Sequence, residues 1–218
     1  PEAFLPQVAL NLGNFASLHR NLQNYGLAEQ EYNETIAIYR KFAEKNPEAF
    51  LPAVALTLGN LASFHKDLHQ YDIAEREYNE VFSIYRDLAE DARAASMPNV
   101  ALNLGNLATL HADVQKHDIA EKEYNEALAI YRRLAECNSD AFLPDVARIL
   151  GRIALLHDFM HKYDIAEKEY KEAIVLYRKL AKKNPDIFLP DLARNIGNLA
   201  LLHSSLHKYD MSEREHRE

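Results

Sequence analysis

Five glycines, Gly13, Gly59, Gly105, Gly151 and Gly197, stand 46 residues apart in this 218-residue chain, and the segments around them align without a gap. A fixed period of this length marks a repeat array, in which one structural unit recurs and gains its stability by stacking on its neighbours. There are four full copies, residues 1–46, 47–92, 93–138 and 139–184, and a fifth, 185–218, that stops partway. Other columns keep the same period: Pro6, Pro52, Pro98, Pro144 and Pro190, and His19, His65, His111, His157 and His203. The chain reads as one array. It opens at a repeat boundary without a Met and closes in the first turns of a second helix, so a piece of a longer array or of a larger protein is expected.

Each copy reads as two helices. In the second, Val54, Leu58, Leu61, Ala62 and Phe64 follow the 3, 4, 7 spacing of one helical face, with Pro52 expected in the first turn, where a missing N–H costs nothing. That helix is predicted to run to about His69 or Gln70. Asp72 and Glu75, three apart, then read as a capping box that opens a second helix, repeated at Asp118/Glu121, Asp164/Glu167 and Asp210/Glu213, and more weakly at Gly26/Glu29. In copy three the second helix carries a buried stripe of Ala120, Tyr124, Ala127, Leu128, Ile130, Tyr131 and Leu134. The column Tyr39, Tyr85, Tyr131 and Tyr177 is expected in the core, and the Glu-Lys-Glu and Glu-Arg-Glu runs on solvated outer faces. No segment shows strand alternation.

These residues resemble the tetratricopeptide repeat, in a long-period variant similar to those of kinesin light chains and many bacterial multirepeat proteins. Copy three supplies Leu104, Leu107, Ala108 and His111 on its first helix and Ala120, Tyr124 and Ala127 on its second, at the family's spacings. It departs where His replaces the usual Tyr and where Leu12, Leu58, Leu104, Leu150 and Ile196 replace the usual Trp. The resemblance covers essentially the whole chain. It implies an all-α solenoid of antiparallel helix pairs wound into a right-handed superhelix, whose first helices line a concave groove that binds a partner peptide.

Composition narrows the partner. A net charge of −8 argues against the phosphate backbone of nucleic acid, and no apolar run reaches the length of a membrane span. Cys137 stands alone, so no intrachain disulfide forms, which fits a reducing, cytoplasmic setting. There is no glycine-rich phosphate loop, nucleophile elbow or activated cysteine, so no enzymatic activity and no cofactor are expected.

Candidate binding residues follow from the columns. Asn14, Asn60, Asn106 and Asn198, with Arg152 in the fourth copy, stand one step after each glycine. In related tetratricopeptide domains the corresponding Asn bonds the backbone of an extended peptide, and its amide suits that role as both donor and acceptor. Arg148 and Arg194 lie four positions before Arg152 and Asn198, where the other copies have Leu10, Leu56 and Leu102. The three arginines are expected to converge and to favour an acidic group on the partner, the alternative being pairing with Asp145, Asp191 or a neighbouring Glu. Each helical Gly costs about 1 kcal/mol relative to Ala, so the column needs a reason: close helix contact or close approach of a ligand backbone. His65/His69, His157/His161 and His203/His207 are i, i+4 pairs of a kind that can hold Zn²⁺, but no Glu follows the first His as in a zinc protease. Structural packing is expected there, with incidental metal binding as the alternative. The expected partner is a protein or peptide. Self-association through uncapped repeat ends, in a structural or regulatory spacer, is the competing function.

Overall fold

The structure is a computed structural model; it describes residues 4–91 and 93–215, and the side chains of residues 4–88 and 96–206. The described residues form helices α1 (Leu5–Asn21), α2 (Tyr25–Ala43), α3 (Pro47–Asp67), α4 (Tyr71–Asp91), α5 (Arg93–Asp113), α6 (His117–Cys137), α7 (Ser139–Phe159), α8 (Tyr163–Lys183) and α9 (Pro185–Glu215), with no strand among them. The all-α, helix-pair class read from the sequence is the one found. Two compact units divide the chain, Pro1–Leu110 and His111–Glu218. Within them α1 packs on α2, α3 on α4 and α7 on α8, and each pair then meets the first helix that follows it, as α2 meets α3 and α8 meets α9.

A tyrosine sits at the centre of each of these three-helix contacts. In the first unit Tyr78 of α4 packs with Ala62 of α3, Ala74 of its own helix, and Leu107 and Leu110 of α5. In the second, Tyr170 of α8 packs in the same register with Ala154, Ala166 and Leu202. The alanines are fully buried, and their small size lets helices approach closely enough for the ring to fill the gap. Burying such a ring is worth roughly 1.5–3 kcal/mol, so the column is a major source of cohesion. The second column, Tyr39, Tyr85, Tyr131 and Tyr177, is buried as expected, and so are Ala120, Tyr124, Ala127, Leu128 and Tyr131 of the α6 stripe; Ile130 and Leu134 are half-buried.

The helix ends differ from the sequence reading in three ways. First, α3, α7 and α9 begin five residues before Pro52, Pro144 and Pro190, so these prolines lie inside helices. Asn46 and Asn138 make the start: each side-chain oxygen accepts from the N–H three residues on, Ala49 and Ala141. Second, Asp72, Asp118 and Asp164 lie in the first turn rather than at the cap, and the flanking Lys116 and Lys162 make no side-chain cap bond, so the capping box does not form. Near a helix N-terminus those aspartates still complement the positive end of the dipole. Asp210 and Glu213 lie beyond the described side chains.

Third, the turn inside each repeat is closed by backbone alone. Gln23, His69, Gln115 and His161 adopt φ between 58° and 62°, and Gln70 N–H reaches His65 O at 2.9 Å while His69 N–H reaches Lys66 O at 2.9 Å. Lys116 to His111 and Lys162 to His157 repeat the longer of these bonds at 2.8 Å. This is the Schellman arrangement, which glycine enters without strain and other residues enter at a cost of roughly 1 kcal/mol. Gln115→Gly is therefore expected to stabilise the protein by about 0.5–1 kcal/mol, read as an increase in the urea midpoint at unchanged slope.

Candidate functional site

The histidine column is structural, and its partners come from the glutamate runs. His19, His65, His111 and His157 place Nδ1 at 2.7, 2.8, 2.7 and 2.7 Å from Oε2 of Glu31, Glu77, Glu123 and Glu169, twelve residues on in the same repeat. The other ring nitrogen faces the preceding repeat: His157 Nε2 lies 3.1 Å from Glu121 and His203 Nε2 3.2 Å from Glu167, with His65 and Glu29 at 3.5 Å. His157 thus ties three helices.

Burial pushes the Glu77 and Glu169 carboxyls above the ordinary range, with the histidine bonds opposing. Glu121 is held below it, first by the Lys162 bond at 2.6 Å and then by His157. The outer-face reading of the glutamate runs is therefore corrected for Glu77, Glu123 and Glu169, whose side chains are 15–19% exposed. The signal that could have found them is a Glu recurring twelve residues after each His.

Two of the i, i+4 histidine pairs, His65/His69 and His157/His161, do not act as pairs. His69 and His161 leave the helix at the left-handed turn, and their Nδ1 atoms bond Tyr71 and Tyr163 hydroxyls at 2.7 and 2.6 Å. His65 and His157 point instead at their glutamates. The side chain of His207 lies outside the described residues. No group of three or more metal-binding side chains occurs among the described residues.

The asparagine column faces solvent in the first unit. Asn14 and Asn60 are exposed and Asn106 is half-buried, and none makes a side-chain hydrogen bond to a described residue. Four residues earlier, Leu10, Leu56 and Leu102 are exposed too, Leu56 to 61%. By helical spacing each Leu and Asn share one face of a first helix. That face offers amides flanked by apolar contact.

In the second unit the arginines converge. Arg148, Arg194 and Arg152 all act on the buried Tyr177 hydroxyl, which burial and Asp191 push up to about 12 against the pull of the three cations. Arg148 bonds Asp145 at 2.9 Å and Arg194 bonds Asp191 at 2.7 Å, the pairing considered as the alternative. Arg152 is exposed and makes no ion pair with a described residue. Asn198 is half-buried beside Tyr170, whose phenol burial pushes up and the Asn198 amide draws back.

Close helix contact accounts for one glycine of the column. A Cβ on Gly151 would lie 2.5 Å from Asn195 Oδ1, and Asn195 is itself buried and bonded through Nδ2 to Asp191 O at 2.8 Å, so close helix approach explains that position. Gly13 would make only ordinary contact with Thr35, and Gly59 and Gly197 would meet nothing within 4 Å.

The chain thus falls in the class of all-α repeat proteins built from helix pairs. The tetratricopeptide repeat profile matches residues 54–92 and 99–179 in two forms, and the chain belongs to that family. No curated protein matches. Among solved structures, BtubC (BKLC) from P. vanneervenii is 19% identical with a TM-score of 0.76, over 96% of this chain and 77% of that one. Aspartyl phosphate phosphatase F from Bacillus subtilis is 16% identical with a TM-score of 0.67, over 95% of this chain and 52% of the phosphatase. The apo form of RapI is 14% identical with a TM-score of 0.66, over 93% and 70%. At these identities the likeness shows the fold. No helix among the described residues is long and apolar enough to cross a membrane.

Two predictions follow the geometry. Glu121→Gln is expected to cost about 1 kcal/mol at neutral pH by removing the bonds to Lys162 and His157. Because the folded carboxyl is held below its ordinary value of 4.5, the difference from wild type stays flat above that pH and shrinks as pH falls through the lowered value, a trend read by urea unfolding across pH 3–7. Gly59→Ala is expected to stabilise by up to about 1 kcal/mol and Gly151→Ala to destabilise, so their melting temperatures move in opposite directions.

Proposed function

We propose that this protein is an interaction module, without catalytic activity of its own, that holds an extended segment of a partner protein along the exposed face of its first helices. The observation that carries the reading is the repeated Asn column of the first unit: Asn14, Asn60 and Asn106 spend no side-chain hydrogen bond on the fold yet recur in each of the first three copies. An amide offers a donor and an acceptor at once, the complement of a peptide unit whatever side chain it bears. In the second unit Arg148, Arg152 and Arg194, with Asn198, add selection for an acidic group, whether a side chain or a C-terminus. The family membership supports a protein partner, and a single short segment would bind on the order of micromolar, about −8 kcal/mol. Asn60→Ala/Asn106→Ala is expected to weaken binding of a fluorescent peptide library about tenfold with little change in melting temperature. Equal binding by wild type and double variant in an anisotropy titration would remove the asparagines from the site.

One observation favours self-association as a second reading. Val8, Phe15 and Leu18 of α1 are exposed, Phe15 to 52%, although the same columns are buried at Val54, Leu61 and Phe64 and at Val146, Ile153 and Leu156. This is the kind of surface on which another repeat stacks. Concentration-dependent mass in light scattering, abolished by Phe15→Gln, would support head-to-tail contact; a strict monomer at high concentration would count against it.

A further inference from the structure

The outer face of α8 carries a charge pattern that the other second helices lack. At spacing 3, 4, 3, 4 it presents Lys168, Lys171, Val175, Arg178 and Lys182, all exposed and all opposite its buried stripe of Ala166, Tyr170, Ala173 and Tyr177. The same positions of α6 hold Lys122, Asn125, Ala129, Arg132 and Glu136, and the first two copies keep Asn33 and Asn79, Ala37 and Ser83, and Glu44 and Glu90. The fourth copy has thus replaced an amide, a small and an acidic position with Lys171, Val175 and Lys182. In a chain of net charge −8 this is a cationic line about 21 Å long.

The fold does not account for it. In the first three copies the Arg and the residue four on, as in Arg132 and Glu136, are of opposite sign, which favours a helix; Arg178 and Lys182 are a like-charge pair, which disfavours one. Cations complement the negative end of a helix dipole, which suits Lys182 and Lys183, but Lys168 and Lys171 lie in the first half of α8, out of its reach. Lys171 bonds Glu167 and Lys183 bonds Asp140, whereas Lys168, Arg178 and Lys182 make no ion pair with a described residue. Val175 is 63% exposed, and a β-branched residue at an open helical position loses side-chain freedom without burying its apolar surface.

We propose that this stripe is a second interaction surface, separate from the first-helix face, and that it pairs with an acidic amphipathic helix of a partner protein. Charge complementarity and width select that occupant. Carboxylates spaced 3 and 4 apart fall on one face of a helix, and laid along α8 they meet the cations, with an apolar side chain between them seated on Val175. Toward α6 the basic area is one helix wide: Glu172 beside the stripe bonds Arg132 at 2.7 Å, and α6 itself exposes Glu126 and Glu136. A flat anionic surface such as a bilayer would meet those carboxylates along with the lysines, whereas a single helix meets only the stripe.

The test uses fluorescein-labelled, alanine-based helical peptides of about 20 residues. One carries Glu at the 3, 4 spacing with a central Leu on the same face, a second has the Glu changed to Gln, and a third has the Leu changed to Ala. In anisotropy titrations the wild-type chain is expected to bind the first most tightly, the Gln form about tenfold more weakly and the Ala form several-fold more weakly, with affinity for the first falling as salt rises. Lys171→Asn/Lys182→Glu, which restores the residue types of the third copy, is expected to weaken the Glu helix about tenfold without lowering the melting temperature, so that loss of binding is not loss of fold. Val175→Ala is expected to remove the preference for Leu over Ala. Equal binding of the Glu helix by wild type and the double variant overturns the proposal, and so does loss of that binding in Arg152→Ala, which would assign the peptide to the first helices. Equal affinity for a Glu peptide whose helix is broken by proline overturns the helical occupant. Co-sedimentation of the wild type with phosphatidylserine vesicles, together with no binding of the Glu helix, assigns the stripe to a lipid surface and overturns the proposal as well.

Discussion

A tyrosine ring wedged among three helices is the contact on which the rest of the structure depends. Tyr78 and Tyr170 each bridge the two helices of their own repeat and the first helix of the next, seated against alanines that admit no larger side chain. A helix pair alone leaves one side of that ring in water, so the pair and its successor are stable together and neither is stable apart. The wedge also dictates the period: register must be identical at every step, and helices of 21 residues joined by short turns return the same positions every 46 residues. It brings an obligation with it, because a phenol buried that deeply needs a partner for its hydroxyl. Ser17 and Ser63 supply one to Tyr32 and Tyr78, and the Asn198 amide bears on Tyr170.

The histidine–glutamate ties act on the same joints by a different force. His157 spans Glu169 on α8 and Glu121 on α6, joining the helix it sits on to the second helices before and after. Its backbone carbonyl accepts the turn-closing bond from Lys162, whose ammonium in turn holds Glu121. One residue thus ends a helix, orders a turn and links neighbouring repeats. With the tyrosine and histidine columns meeting the structural demands, Leu10, Leu56, Leu102, Asn14 and Asn60 on the first helices are left exposed.

How much of this was legible depends on the range of the interaction. The period, the all-α class and the buried tyrosines are properties of spacing along the chain, and spacing survives without coordinates. The helix ends were misread because Asp72 and Glu75 match a capping box while the competing Schellman turn at His69 uses backbone groups that leave no residue signature. Pro52 was placed too early because helix start is set by Asn46, and proline is tolerated one turn further in than its usual position. The His65/His69 and His157/His161 pairs looked like a metal motif since i, i+4 spacing presumes a continuous helix, and the chain leaves the helix at His69 and His161. Among the candidate binding residues, the convergence of Arg148, Arg152 and Arg194 was visible from the repeat register, whereas the aspartate pairing that distinguishes Arg152 from the other two depends on side-chain rotamers.

On the proposed reading, an acidic protein that selects an acidic segment must overcome its own field, and the magnitudes show how. A net charge of −8 repels a carboxylate at long range, but at physiological salt exposed charges separated by more than about 8 Å are largely screened. In the second unit three guanidinium groups stand against two aspartates, a local surplus of positive charge inside a negative whole. The aspartates hold two of the arginines in place, so a ligand carboxylate does not have to order all three long side chains.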